Sequence, residues 1–346
     1  MSAPWHALLV CLTFCIGAGT ASFAHAALHA DLSACAAIGS GEQRLQCYDR
    51  LAARVAAMSA PYDEAQAVEQ AAAVESAPVS PLAERWELDA SARKGTFSFT
   101  PYQQNYLLPY HYTDRTNNSP SRVGEVPVVR DDVLNNTEAT FQLSFKVKLA
   151  QDLFPAGSDL WFGYTQYSVW QVYNEALSSP FRNTDYQPEL MYVIPTGGEV
   201  LGLKWRMLNL GLVHQSNGRS EPLSRSWNRA YAQFGFERGN FALLLKPWYR
   251  FDEDTPDDDN PDITDYVGRG EVLAVYKWGR QEFSARWRNN FQAHDNRGSI
   301  LLDWSFPLVG NLKGYAQFFN GYGETLLDYN HGQTTFGIGI LLTDWM

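Results

Sequence analysis

The sequence predicts an all-β fold, a transmembrane antiparallel β-barrel of about 12 strands with a small N-terminal periplasmic extension. Two observations lead to this prediction. From residue 95 onwards, segments of about ten residues alternate apolar and polar side chains, as the strands of membrane barrels do. The connections between these segments are alternately long and short, which matches the outer loops and periplasmic turns of outer-membrane barrels. A secreted β-sandwich has no reason to keep that order.

Residues 1–26 are predicted to be a secretory signal peptide. Leu8–Ile16 form a short apolar core, and Ala24-His25-Ala26 has the small-residue pattern of a cleavage site. The apolar run is shorter than the roughly 20 residues of a membrane-spanning helix. We therefore expect export, with cleavage after Ala26.

Residues 27–90 are predicted to form a periplasmic N-terminal segment and a linker. Cys35 and Cys47 lie in a predominantly helical stretch and remain after the signal peptide is removed. Because exported proteins meet an oxidising compartment, we expect these two cysteines to form a disulfide. Residues 50–85 are rich in Ala, Glu, Pro and Ser, a composition typical of weak helix followed by linker.

Residues 91–346 are predicted to be the barrel domain. Its short connections are PAGS, TGGE, ERGN, KWGR and LVGN, whereas the long ones include an acidic stretch at 252–265 that we expect to be a solvated outer loop. Tryptophans near the strand ends fit the aromatic girdles of a barrel at the two membrane interfaces. The predicted strands are residues 95–112, 138–151, 158–174, 187–196, 199–216, 225–238, 240–251, 266–278, 280–292, 297–306, 312–320 and 333–344.

Charge and strand number limit the classes of function. A net charge of −11 at pH 7 argues against a nucleic-acid partner, which requires a basic surface. A general porin has roughly sixteen to eighteen strands, more than this sequence predicts. A passive barrel, either a porin or an adhesion scaffold, and a barrel esterase of another lipid specificity remain as alternatives to the function inferred below.

Polar residues interrupt two rows of lipid-facing side chains at their outer ends. Side chains alternate between the two faces of a strand, so His214 and Ser216 continue the apolar row of Leu208, Leu210 and Leu212. On the next predicted strand, Asn228 begins the row that ends at Phe236, and antiparallel pairing brings it beside His214. An ionisable side chain on a lipid-facing surface costs free energy and usually marks a function.

These three side chains have the chemistry of a serine hydrolase. A serine hydroxyl is a weak nucleophile until an adjacent base removes its proton, and His214 lies two residues before Ser216 on the same face. The imidazole needs a third group to hold its orientation and tautomer, which the amide oxygen of Asn228 can provide. A nucleophile that faces the outer leaflet meets the acyl esters of lipids.

The segment HQSNGRSEPLSRSWNR, residues 214–229, resembles the active-site segment of the outer membrane phospholipase A family of Gram-negative bacteria. The similarity continues through YTQYSVWQ, SSPFR, KPWY, DDNPDIT and GYGETLLDYN, and it covers most of residues 93–346. It implies a twelve-stranded outer-membrane barrel that hydrolyses the acyl esters of membrane phospholipids at either glycerol position, requires Ca²⁺ and is active as a homodimer. Family members reach the membrane through the outer-membrane insertion machinery, whose recognition signal usually ends in Phe, whereas this sequence reads Asp344-Trp345-Met346.

The resemblance also assigns roles to single residues. It makes Ser216 the nucleophile, His214 the base and Asn228 the orienting residue, with the backbone amides of Ser216 and Gly218 as the oxyanion hole. The implied calcium ligands, all of them oxygen atoms, are the Arg219 carbonyl, the Ser224 hydroxyl and Ser178 of a second subunit.

Gln166 is the predicted centre of the dimer interface. It lies in a row of side chains that we expect to face lipid, where an unpaired amide is costly. The amide of a second barrel would satisfy it, and the resemblance places this glutamine at the centre of the family's dimer.

Overall fold

The structure, a computed structural model, describes residues 33–58, 80–121, 133–254 and 258–346. The chain divides into two compact units, Met1–Ala77 and Pro78–Met346. The predicted signal peptide and most of the predicted linker lie outside the described residues. Among the described residues, no helix is long and apolar enough to cross a membrane.

The first unit contains helix α1 (Gly41–Met58) and the predicted disulfide. The sulfur atoms of Cys35 and Cys47 are 2.03 Å apart, and the Cys35 side chain is buried.

The second unit is a closed antiparallel barrel, which confirms the predicted fold class. Among the described residues, each barrel strand pairs with the next one along the chain, and the first pairs with the last to close the ring. Two short strands, Phe99–Pro101 and Glu199–Val200, pair with the second and fifth barrel strands. The twelve barrel strands are β1 (Asn105–Thr113), β2 (Thr137–Leu153), β3 (Ser158–Trp170), β4 (Phe181–Pro195), β5 (Leu203–Ser216), β6 (Ser226–Arg238), β7 (Phe241–Phe251), β8 (Gly270–Trp278), β9 (Gln281–Asn289), β10 (Gly298–Val309), β11 (Leu312–Gly321) and β12 (Gln333–Thr343).

The prediction for the fourth strand was wrong at its beginning. The strand starts at Phe181, six residues before the predicted start at residue 187. Asn183 and Asp185 form a buried polar row there, and Arg182 is buried where the register shifts between Phe181 and Asn183, so the segment shows no apolar alternation. The first predicted strand, residues 95–112, is likewise interrupted, because β1 begins only at Asn105.

The two faces of the barrel wall have opposite polarity. Along β6, side chains alternate between buried and half-buried positions, and the buried row contains Arg229, Tyr231 and Gln233. Leu210 and Leu212 of β5 point outward and are 44% and 54% exposed. A barrel with a polar interior and an apolar outer surface has the construction required in a lipid bilayer.

A short helix lies at the end of the barrel where the short turns are. Helix α2 (Pro81–Trp86) begins at Ser80, whose hydroxyl accepts a hydrogen bond from the Ala83 amide at 3.0 Å. Its Leu82 and Trp86 side chains are buried, and the Leu82 amide donates a hydrogen bond to a carboxylate of β6. The sequence predicts that these residues belong to the N-terminal segment, whereas they belong to the compact unit of the barrel.

Charged side chains fill the interior around α2. The ammonium group of Lys146 donates to the Arg85 carbonyl at 2.5 Å. The buried Lys148 ammonium lies 2.8 Å from the Glu87 carboxylate and 2.7 Å from that of Asp159. The interior retains a cavity of about 170 Å³. This packed polar interior argues against a wide passive pore.

Candidate active site

The predicted catalytic residues lie where β5 ends and β6 begins. The antiparallel register pairs His214 with Asn228 and Ser216 with Ser226. His214 is exposed, and Ser216 and Asn228 are half-buried, whereas Val213 between the outward positions is buried. The structure therefore places all three predicted residues on the outward face, at the end of the barrel that carries the long loops.

A hydrogen bond joins His214 and Asn228. Nδ1 of the imidazole lies 2.9 Å from Oδ1 of the amide. An amide oxygen can only accept, so Nδ1 is the donor, and in a neutral imidazole with this tautomer the lone pair is on Nε2. This tautomer is the one that a general base acting through Nε2 requires.

The 217–225 loop is closed by the side chain of Asn217. Its amide oxygen accepts from the Arg225 backbone N–H at 3.0 Å, and its amide nitrogen donates to the Leu223 carbonyl at 2.8 Å. The Asn217 side chain is buried, so these bonds are shielded from water. Gly218 follows with φ +63°, and a Cβ atom there would lie 3.2 Å from the Tyr186 ring. Of the two predicted oxyanion amides, that of Ser216 ends β5 and that of Gly218 lies in this closely packed loop.

Two of the predicted calcium ligands belong to this loop. The hydroxyl of Ser224 donates to the Asp259 carboxylate at 2.6 Å. The Arg219 guanidinium donates to the backbone carbonyl of Phe181 at 3.0 Å, which ties the loop to the start of β4. Burial and the nearby Arg182 cation lower the pKa of Arg219 from its ordinary value.

The third predicted calcium ligand lies on the neighbouring outer loop. Ser178 ends a short 3₁₀ helix, Glu175–Leu177, and has φ +60°. Its loop leads directly into β4, whose first residue, Phe181, accepts the hydrogen bond from the Arg219 guanidinium. The structure thus places Ser178 on the loop before β4, and Arg219 and Ser224 on the loop after β5.

The acidic stretch after β7 is packed against the site, contrary to the expectation of a solvated loop. Asn260 is fully buried and its amide oxygen accepts from the Ser226 backbone N–H at 3.0 Å. The Asp258 carboxylate binds the Arg250 guanidinium at 2.6 Å. Glu253 accepts from the Asn228 amide nitrogen at 2.9 Å. The many acidic residues of this stretch suggested solvent exposure, and only the motif DDNPDIT indicated a specific role.

A buried ion-pair network holds the outer end of the barrel below these loops. The Arg182 guanidinium donates to the Glu138 carboxylate at 2.7 Å and to the Asp328 carboxylate at 2.5 Å. Burial opposes ionisation of Asp328, but the Arg182 cation and several hydrogen bonds outweigh it, so the pKa of Asp328 lies below its ordinary value. The loop that carries Asp328 is therefore fixed to β2 and β4.

Gln166 lies in the outward row of β3, as predicted from the sequence. Its amide oxygen accepts from the Tyr164 hydroxyl at 3.3 Å, and its nitrogen donates to the Ser168 hydroxyl at 3.2 Å. The alternate residues Thr165 and Val169 are buried, which identifies the opposite face as the interior. Gln166 thus belongs to a polar group on the outer wall.

Comparisons with known proteins agree with this architecture. The family model described as phospholipase A1 matches residues 82–342. Putative phospholipase A1 of Neisseria meningitidis is 41% identical over 271 residues, which cover 77% of this chain and 70% of that protein.

Solved structures show the same fold. Outer membrane phospholipase A from Escherichia coli superposes with a TM-score of 0.67 at 35% identity, over 76% of this chain and 98% of that chain. The Salmonella typhi outer membrane phospholipase, solved as a dimer with bound calcium, gives a TM-score of 0.67 at 34% identity, over 78% of this chain and 100% of that chain. This chain therefore belongs to the phospholipase A1 family and is a phospholipase of the outer membrane.

Proposed function

We propose that this protein hydrolyses the sn-1 and sn-2 acyl esters of glycerophospholipids with a Ser-His-Asn triad, in a reaction that requires Ca²⁺. The observation that carries the proposal is the 2.9 Å contact between His214 Nδ1 and Asn228 Oδ1 on the outward face. His214 lies two residues before Ser216 on the same strand. Lipid esters reach this face from the membrane, whereas peptides would have to approach from water. The products are a fatty acid and a lysophospholipid.

Acylation begins with the Ser216 hydroxyl. Nε2 of His214 removes its proton as Oγ attacks the ester carbonyl carbon. The carbonyl oxygen becomes an oxyanion, which the backbone amides of Ser216 and Gly218 stabilise. When the intermediate collapses, the bond to the glycerol oxygen breaks, and that oxygen takes the proton from Nε2. The lysophospholipid leaves, and the fatty acyl group stays on Ser216.

Deacylation uses a water molecule. His214 removes a proton from water as the oxygen attacks the acyl-Ser216 ester. Collapse of the second intermediate releases the fatty acid and returns the proton to Ser216. In both steps Nε2 of His214 first accepts a proton and then donates it, so the imidazole must keep its position. The hydrogen bond with Asn228 holds it there.

The residues around the 217–225 loop suit a calcium ion. The Ser224 hydroxyl donates a hydrogen bond to the buried Asp259 carboxylate, so the lone pairs of its oxygen can bind a cation. The Arg219 carbonyl and Ser178 of a second subunit would complete the protein ligands. A bound calcium ion would supply positive charge that stabilises the oxyanion. Asp259 adds the carboxylate that the predicted ligand set lacks.

A second copy of the chain is required by this ligand set, because Ser178 is contributed across the interface. We place that interface at the outward face of β3, with Gln166 at its centre. The Gln166 amide now bonds only hydroxyl groups of its own strand among the described residues, which leaves hydrogen-bonding capacity for a partner's amide. Homodimerisation would thus regulate activity by completing the calcium site.

The proposal is tested by hydrolysis of defined phosphatidylcholines that carry different acyl chains at the two positions. We expect both fatty acids to be released with Ca²⁺ and neither with a chelator present. Ser216→Ala should lower kcat about a thousand-fold or more. Ser226→Ala removes the hydroxyl of the facing residue on β6 and should change kcat less than about twofold.

The barrel must be intact for this comparison, so each variant is checked for heat-modifiable migration on gels. A folded Ser216→Ala protein that retains more than about one per cent of the activity would show that another residue is the nucleophile.

A further inference from the structure

Asn228 has a second partner that the triad does not include. Its amide nitrogen donates a hydrogen bond to Oε1 of Glu253 at 2.9 Å, while its amide oxygen is 2.9 Å from His214 Nδ1. The three side chains therefore form a continuous series from imidazole to amide to carboxylate. Ser216 follows His214 by two residues on β5.

The strand register explains how Glu253 reaches this position. Asn228 of β6 pairs with Phe251 of β7, and Glu253 lies two residues beyond Phe251. Glu253 lies just past the end of β7, and its hydrogen bond to the outward-facing Asn228 places its carboxylate on the outer side of the wall. It is half-buried, whereas its neighbours Asp252 and Asp254 are exposed.

The carboxylate determines which way the amide of Asn228 faces. An ionised carboxylate can only accept hydrogen bonds, so the amide nitrogen must point to Glu253 and the oxygen to His214. Without the carboxylate, the amide can rotate and present its nitrogen to Nδ1. That arrangement favours the tautomer whose proton is on Nε2, and this tautomer cannot accept the proton of Ser216.

Glu253 also supplies the charge that an asparagine lacks. Proton transfer from Ser216 creates an imidazolium ion, which an aspartate in the third position of a triad stabilises directly. Asn228 is neutral, but the carboxylate hydrogen-bonded to it polarises the amide and places negative charge one residue further away.

We propose that Glu253 is a positioning residue of the catalytic triad, which fixes the orientation of the Asn228 amide and supports the imidazolium ion through it. This inference rests on the proposed function. Glu253 acts through Asn228 and touches neither the nucleophile nor the ester, so its loss should lower kcat and leave KM unchanged.

Kinetics on detergent-dispersed phosphatidylcholine test the first part. Glu253→Gln should lower kcat about ten- to a hundred-fold, the range typical of residues that orient a functional side chain. Asp254→Asn is the matched control, because it removes the same charge from the same stretch at an exposed position, and it should leave kcat within about twofold. Equal effects of the two substitutions, or a Glu253→Gln protein with parental kcat, would overturn the inference.

A double-variant cycle distinguishes positioning from a structural role. Asn228→Asp replaces the donor with a second carboxylate facing Glu253, and the two negative charges repel each other. Glu253→Gln removes this repulsion and restores a donor. We therefore expect the Asn228→Asp/Glu253→Gln protein to have a higher kcat than Asn228→Asp alone, although Glu253→Gln is harmful in the parent.

A merely structural Glu253 would make the two losses add. That outcome would refute the positioning role. The Ser216→Ala protein, assayed in parallel, distinguishes failure of the triad from failure of the role of Glu253. An active Ser216→Ala protein would refute the proposed triad. An inactive one, together with additive losses in the cycle, would refute only the role of Glu253.

Discussion

Gly218 adopts a backbone conformation, φ +63°, that favours glycine over every residue with a Cβ atom. The Tyr186 ring, 3.2 Å from where a Cβ would stand, closes the space around it as well. At this position backbone freedom and lack of a side chain are both required, because the amide of Gly218 is one of the two proposed oxyanion donors. The chemistry of the site thus depends on the position of a main-chain atom.

Gly218→Ala should therefore impair turnover with the fold intact. A residue with a Cβ atom in this region costs about 1–2 kcal/mol, and a loop that relaxes to relieve it moves the oxyanion donors. We expect kcat on phosphatidylcholine to fall about a hundred-fold or more, since losing one oxyanion donor has this effect.

Gly239→Ala provides the control for that measurement. Gly239 has φ +56° in the turn between β6 and β7, and a Cβ there meets no atom within 4 Å. This variant carries the same backbone strain far from the site, so parental kcat is expected. Equal losses in the two variants would contradict a local effect at Gly218.

At the scale of secondary-structure elements, the Arg182 network joins three parts of the barrel. Arg182 of β4 binds Glu138 of β2 and Asp328 of the loop before β12, and all three side chains are buried. Arg182→Leu leaves two carboxylates in a site with no cation, which costs about 3–5 kcal/mol in comparable buried pairs. We expect the midpoint of unfolding in urea, measured in lipid vesicles, to fall accordingly.

The exposed pair of Arg93 and Asp152 is the matched control. Its side chains are 22% and 56% exposed, and exposed pairs contribute about 0–1 kcal/mol. Arg93→Leu should therefore change the midpoint little, and a loss as large as that of Arg182→Leu would contradict the prediction.

Acid also tests the Arg182 network. The pKa of Asp328 is lowered in the folded protein, so its stabilising contribution is present above the unfolded value of about 4 and disappears as the pH falls through the lower folded value. The difference between parent and Arg182→Leu should narrow in that acidic range.

The sequence predicts the elements well because strand periodicity is a local property. His214 and Asn228 could be placed together from alternation and pairing alone. Alternation fails at Arg182, Asn183 and Asp185, where buried polar side chains and a register shift hide the beginning of β4. The contact between Glu253 and Asn228 depends on the path of a loop, and neither periodicity nor composition encodes that path.

At the scale of the whole molecule, the proposed function connects catalysis to assembly through Gln166 and the calcium site. Polar side chains between membrane segments contribute about 0.6–2 kcal/mol, so Gln166→Ala should raise the dissociation constant of the dimer about 3- to 30-fold. Sedimentation in detergent with Ca²⁺ measures this constant, and activity should fall with the fraction of dimer. A fully active monomer would refute this link.

Gln281→Ala is the control for the dimer prediction. Gln281 lies on β9 and accepts a hydrogen bond from Trp304 of β10, whose side chain points outward and is 42% exposed. β3 and β9 are six positions apart in the ring of strands, so this glutamine lies on the opposite side of the barrel. Its loss should leave both self-association and activity at the parental level.

The hydrogen bond from Arg85 to the Asp344 carbonyl joins residues 259 positions apart, and β1 pairs with β12 across a similar distance. Closing so long a stretch of chain costs conformational entropy, so we expect these contacts to form late in folding. An unfinished sheet in lipid leaves a row of backbone groups unpaired, at several kcal/mol each. A polypeptide that stops short of β12 therefore leaves the edge of β1 unpaired, and we expect a truncated product to be neither a stable membrane barrel nor an active enzyme.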